Sequence, residues 1–165
     1  MSTLGSWLST PALVVAVVAN GLLAGVFFAF SCAISLALHR VDDRSYVTVF
    51  RAINSAILNA GFLLVFALAP LAAVAAVALP HDASRNVSVP WLVAGAACSV
   101  ATFVITAAAN VPLNRALDAA PVTSEAQCTD ARGHFEGRWN RWNLLRTATG
   151  VAAVALLAVA GIGGA

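Results

Sequence analysis

Residues 11–38 read PALVVAVVANGLLAGVFFAFSCAISLAL, 28 positions without one Asp, Glu, Lys, Arg or His. As a helix rising about 1.5 Å per residue, the stretch exceeds the roughly 30 Å hydrocarbon core of a bilayer, so it has length to tilt or project. Backbone groups in lipid must be satisfied within their own segment, and nothing here alternates like a barrel strand; helix is the state this stretch predicts. Outward from it lie three more apolar runs of spanning length, at 57–79, 91–111 and 144–162. The expected fold is all-α: an up-and-down bundle of four transmembrane helices, at about 11–38, 45–79, 90–111 and 140–162, forming a single membrane domain over residues 1–165.

Composition agrees. Hydrophobic residues make up 61% of the 165 and charged residues 10%, and the mean hydropathy is +0.88, well beyond a soluble globular domain. A cleaved signal peptide is the competing reading of residues 1–38. It is disfavoured, because positions 1–10 carry no Lys or Arg and the apolar stretch is too long for a signal core.

The chain has no lysine, and its arginines are placed unevenly. Arg40, Arg44 and Arg51 lie between the first two apolar runs, and Arg115, Arg132, Arg138 and Arg141 between the last two; the opposite side holds only Arg85. The bias puts both Arg-rich connections in the cytoplasm and both termini outside, in the plasma (inner) membrane. The net charge of +2 therefore reads as topology, and the expected macromolecular partner is the lipid bilayer, not nucleic acid. Assembly into a homo-oligomer stays open. Cys32, Cys98 and Cys128 share no C-x-x-C spacing, which argues against a dithiol oxidoreductase and for structural thiols.

The few polar residues gather at one end of each run, an end that alternates so that all four clusters meet on one side. They are Ser31, Ser35 and His39; Arg51, Asn54, Ser55 and Asn59; Asn110, Pro112 and Asn114; and Trp139, Asn140, Trp142, Asn143 and Arg146. That convergence predicts a site. Gly21 and Gly25 form a G-x-x-x-G pair expected at a helix contact. Ser99, Thr102, Thr106 and Asn110 share one face of the third helix, where hydroxyls can bond back to their own helix or glue it to a neighbour. Pro112 is expected to end or kink that helix. Trp139, Asn143 and Arg146 share a face at spacings of 4 and 3, with Trp142 alongside. Trp at a bilayer edge ordinarily anchors and Arg there ordinarily snorkels. Arg146, however, lies inside the apolar run and needs a partner, and no acid lies within any of the four runs. Amide carbonyls or an anionic ligand remain.

Several motifs together resemble the anthrone oxygenase family of small membrane proteins. They are Gly25-Val26-Phe27-Phe28-Ala29-Phe30-Ser31, Ile53-Asn54 with Asn59, Asn110-Val111-Pro112-Leu113-Asn114, and Trp139 with Trp142-Asn143 and Arg146-Thr147. Where some members carry His directly after the fourth-helix Asn, this chain has Leu144, which removes an imidazole from that spot. The resemblance implies an oxygenase that converts a tricyclic anthrone to an anthraquinone, so that a hydrophobic aromatic small molecule and dioxygen are the expected partners.

An anthrone has a doubly benzylic methylene conjugated with a ketone, and loss of a proton gives an enolate electron-rich enough to react with dioxygen. The protein must supply desolvation, orientation and stabilisation of the enolate oxygen. Arg146, Asn143 and Asn110 are the expected stabilising groups, and His39 is the titratable candidate for the base. Trp139 and Trp142 are expected to hold the ring, with Asn54, Asn59, Asn114, Phe27 and Ser31 completing the binding site. No H-x-x-H, E-x-x-H or Cys/His cluster suggests a metal, and the histidines sit in or beside loops. The chemistry expected is cofactor-free. A non-catalytic accessory or ligand-binding bundle is the alternative; a transporter, which would want an ionisable residue at mid-membrane for coupling, ranks third.

Overall fold

The computed structural model describes residues 3–81 and 87–162; Arg85 lies outside them. Among the described residues five helices follow one another. The first, α1, runs through Thr3–Ala29, a π turn at Phe30–Ile34 and Ser35–Leu38. Next come α2 at Asp43–Ile57 and α3 at Ala60–Ala78. The fourth, α4, runs through Val89–Ile105, a second π turn at Thr106–Asn110 and Val111–Ala119, and α5 covers Glu125–Ile162. Four of them, α1, α3, α4 and α5, are long and apolar enough to cross a membrane. The protein is an all-α four-helix bundle of the integral membrane kind.

Three boundaries differ from expectation, each for a local reason. The helix expected over 45–79 is two helices, because the backbone turns at Leu58 and Asn59 then closes both ends. Asn59 Oδ1 accepts from the Phe62 N–H at 3.0 Å while its Nδ2 donates to the Ala56 carbonyl at 3.0 Å. The third span does not stop at Pro112. The π turn just before it re-spaces the backbone where the proline ring would meet the carbonyl of the preceding turn, and the helix continues to Ala119. The last helix begins at Glu125 rather than near residue 140 and holds 38 residues, about 57 Å. Hydropathy marks only its second half. The helix divides at Asn143–Leu144 into a first half with six Asp, Glu and Arg residues and a second half whose one charged residue is Arg146.

The spans pack in a ring, α1 against α3 and α5, and α4 against α3 and α5. One end of the ring is filled with small residues, Ala16, Ala72, Ala73, Ala76, Ala96 and Ala160, together with Leu92 and Leu157. Close approach there needs Gly95, where an added Cβ would lie 2.8 Å from Leu157 Cγ and 3.0 Å from its backbone N. Gly21 and Gly25, expected at a contact, have nothing within 4 Å of an added Cβ. Two hydroxyls of α4 bond back to the helix itself, Thr102 to Cys98 O and Thr106 to Thr102 O, and Thr102 also joins α4 to α5 through the Thr149 hydroxyl at 2.8 Å.

The other end is aromatic and polar. There α2 lies on α5 and on the last turns of α4, and Phe30, Tyr46, Phe50, Phe135 and Trp139 form one buried cluster. Two arginines fasten it. Arg51 donates to the carbonyls of Leu117 and Ala120, both at 2.6 Å, capping the end of α4. Arg132 bonds Asp43 Oδ1 at 3.0 Å, Glu136 Oε2 at 2.7 Å and the carbonyls of Val41 and His39, and lies over the Tyr46 ring. The Thr129 hydroxyl, with Arg132 beside it, holds the Asp43 carboxyl below the usual carboxylate range.

Candidate functional site

The helical repeat of α5 turns Trp139, Asn143, Arg146 and Thr147 inward, all of them buried. Asn143 is the hub. Its Nδ2 donates to the Phe27 carbonyl at 3.0 Å and to Ser31 Oγ at 2.7 Å, fastening α5 to α1 at the start of the first π turn. Its Oδ1 accepts from Arg146 Nε at 3.0 Å. Thr147 completes the knot by donating to the Asn143 carbonyl and lying 3.3 Å from Ser31 Oγ.

Arg146 is 6% exposed. Its Cζ lies 4.1 Å from the centroid of the Phe27 ring and 5.0 Å from that of Trp139, so the guanidinium is held by π faces. Among the described residues it makes no ion pair, and its two terminal nitrogens have no hydrogen-bond partner. Those nitrogens are not among the buried unsatisfied atoms, and the residue lines a pocket. A desolvated cation thus keeps part of its donor fork open to a cavity.

The pocket lies between α1, α2, α4 and α5, with the first turn of α3 at its edge, and has a free volume of about 60 Å³. Phe27, Phe30, Phe50, Ile53, Leu58 and Phe62 supply apolar wall, and Arg146, Asn54, Asn114, Thr106 and Trp139 supply polar groups. Among the described residues no carboxylate lines it. Asn54 and Asn114 reach it from α2 and α4, and hydrogen bonds of 2.8 Å join Trp139 Nε1 to Asn114 and Asn114 to Asn54. The two π turns flank the site at Phe30–Ile34 and Thr106–Asn110, a feature common where a helix must aim side chains at a ligand.

Of the residues picked from sequence, Arg146, Trp139, Asn54, Asn114 and Phe27 line this pocket, and Asn143 and Ser31 brace it from behind. Asn110 is fully buried beside it; its Nδ2 makes a long 3.5 Å bond to the Trp139 carbonyl and its Oδ1 has no partner. Three are placed elsewhere. Trp142 is 40% exposed on the outer face of α5, because one residue from the inward Asn143 is about 100° of helix rotation. Asn59 is spent on its two helix ends. His39, with a side chain 75% exposed, pairs with Glu136 at 3.0 Å and opens on a separate groove that it shares with Ser35, Asn140 and Asn143. It does not reach the Arg146 pocket.

Sequence reading missed Asp118, which accepts from Asn54 Nδ2 at 2.8 Å, and the ring pair Phe30 and Phe50 around Trp139. A signal existed for Asp118: Asn110, Asn114 and Asp118 recur every four residues, one face of a helix once Pro112 is allowed inside it. No three His, Cys, Asp or Glu side chains gather as metal ligands among the described residues.

Neither the curated proteins nor the solved structures give a significant match to this chain. The sequence pattern described as "Anthrone oxygenase" matches residues 48–156, from α2 into the last third of α5, and so takes in every pocket residue of α2, α4 and α5 named above. With about two thirds of its length matched, and with the four membrane helices in place, the chain belongs to the anthrone oxygenase family.

Proposed function

We propose that the pocket binds a flat anthrone-like polyphenol and promotes its oxidation by dioxygen to the quinone without a cofactor. The observation that carries the reading is Arg146: buried, held by aromatic faces, without a carboxylate partner among the described residues and with terminal N–H groups free at the cavity. A fixed cation in a low-dielectric site favours the enolate over the neutral ketone, which lowers the cost of removing the methylene proton. Dioxygen then adds at that carbon, the peroxide anion takes back a proton equal to the one removed, exchanged through water, and the hydroperoxide loses water to leave the second carbonyl. Phe27, Phe30 and Trp139 are apolar faces for the ring. A free volume of about 60 Å³ is smaller than a three-ring molecule needs, so on this reading the pocket widens on binding, and Leu58, 59% exposed at the α2–α3 turn, is the lining residue with room to move.

The test is conversion of an anthrone to its quinone under air by purified protein, corrected for the spontaneous reaction. Arg146→Lys keeps the charge but loses the planar fork, and the rate is expected to fall by roughly 10²-fold, with Arg146→Ala lower still. No rate above background across a panel of anthrones would return the protein to a non-catalytic bundle, the reading its small free volume favours. Activity lost to a chelator and restored by iron or copper would replace the cofactor-free step with a metal-dependent one.

We further infer from the arginine bias that α2 and the first half of α5 stand on the cytoplasmic side of the plasma membrane with both chain ends outside.

A further inference from the structure

The hydrogen bonds behind the pocket form a chain with a direction. Trp139 Nε1–H donates to Asn114 Oδ1, Asn114 Nδ2 to Asn54 Oδ1 and Asn54 Nδ2 to Asp118 Oδ2, each at 2.8 Å. Neither end can be reversed, because an indole N–H only donates and a carboxylate only accepts. The amides between are therefore aligned, oxygen toward Trp139 and nitrogen toward Asp118, and each bond polarises the next. At the Trp139 end, the ring that begins the chain lies 5.0 Å from the Arg146 guanidinium carbon. The carboxylate of the exposed Asp118 at one end and the buried cation at the other are thus joined through an indole and two amides.

A buried cation is ordinarily balanced by an acid in direct contact. Direct contact would occupy the terminal N–H groups of Arg146, and those are open to the cavity. We propose that Asp118 is the remote counter-charge of Arg146, a positioning residue that balances the cation through this chain while leaving its donor fork free for an anionic oxygen on a flat aromatic ligand. The inference rests on reading the Arg146 pocket as an enolate-binding site and adds what tunes its charge. Asp118 makes Trp139 a richer π face for the cation and moderates the positive potential that the ligand meets.

The two roles give opposite signs in one measurement. Binding to purified protein in detergent would be followed by absorbance titration with two ligands of one shape. These are 1,2-dihydroxyanthraquinone at mildly alkaline pH, where it is an anion, and neutral anthraquinone. Asp118→Asn removes the charge and keeps an acceptor for Asn54, so the anion is expected to bind about threefold tighter, the size of a partly screened charge, with the neutral ligand unchanged. Asn54→Leu cuts the chain but keeps the carboxylate, and is expected to shift the anion-to-neutral affinity ratio in the same direction as Asp118→Asn, by up to about threefold, whatever it does to both ligands in common. The assignment is overturned if Asp118→Asn weakens both ligands equally or leaves the anion unmoved, or if Asn54→Leu leaves the ratio as in the wild type. A wild type with no preference for the anion takes down the enolate-site reading and this inference together; a preference that Asp118→Asn fails to shift takes down only the role of Asp118.

Discussion

At the scale of single residues, the division of labour between neighbouring tryptophans decides what can hold a ring. Trp139 is buried against Phe30 at 5.2 Å and Phe50 at 4.9 Å between centroids, whereas Trp142 stands outside. Trp139→Ala is expected to cost about 3–5 kcal/mol in unfolding and to abolish ligand binding. Trp142→Ala should stay within roughly 0.5 kcal/mol and leave binding intact; thermal unfolding and the same absorbance titration read both. The 4 and 3 spacing makes the shared face of Trp139, Asn143 and Arg146 legible in the amino-acid sequence. What spacing cannot give is the width of the inward face, so Trp142 reads as part of it. Asn59 misleads for a related reason: an asparagine between two apolar runs looks alike whether it faces a cavity or caps a helix.

At the scale of elements, the spans are legible because nothing but helix satisfies a backbone in lipid, and hydropathy finds that condition directly. Their ends are not, because α2, the last turns of α4 and the first half of α5 are held by packing and by Arg51 and Arg132, which hydropathy does not see. Glycine shows the same limit. Gly95→Ala drives a Cβ against Leu157 side chain and backbone and is expected to destabilise by about 1–3 kcal/mol, while Gly25→Ala, with open space around it, should be neutral or stabilising by up to about 1 kcal/mol. Unfolding of the two variants side by side in one detergent checks the pair. The Asp43 link between α2 and α5 adds a pH dependence. Its carboxyl is depressed in the folded state, by Thr129 first and Arg132 next, so its contribution is present above the unfolded value of about 3.9 and is lost as pH falls through the folded value. Asp43→Asn should therefore lower the melting temperature near neutrality, and the gap to wild type should close in strong acid.

For the whole molecule, the arginine bias sets a test that needs no activity. Single cysteines at positions 44 and 132, introduced into a chain freed of its native thiols, should be shielded from an impermeant reagent in intact cells and one at position 85 should react; the reverse pattern inverts the orientation and leaves the bundle untouched. Whichever way the molecule stands, α5 passes from a charged half to an apolar half at Asn143–Leu144, and Arg146 lies one turn beyond. On the proposed function, with the charged half of α5 in water and its apolar half in lipid, the pocket sits where two solvents meet. On that reading a polycyclic reactant and dioxygen both concentrate in hydrocarbon, while the water formed belongs in the aqueous phase. The reactants would come from one side of that boundary and the water would leave by the other, so partition alone sets the direction of traffic.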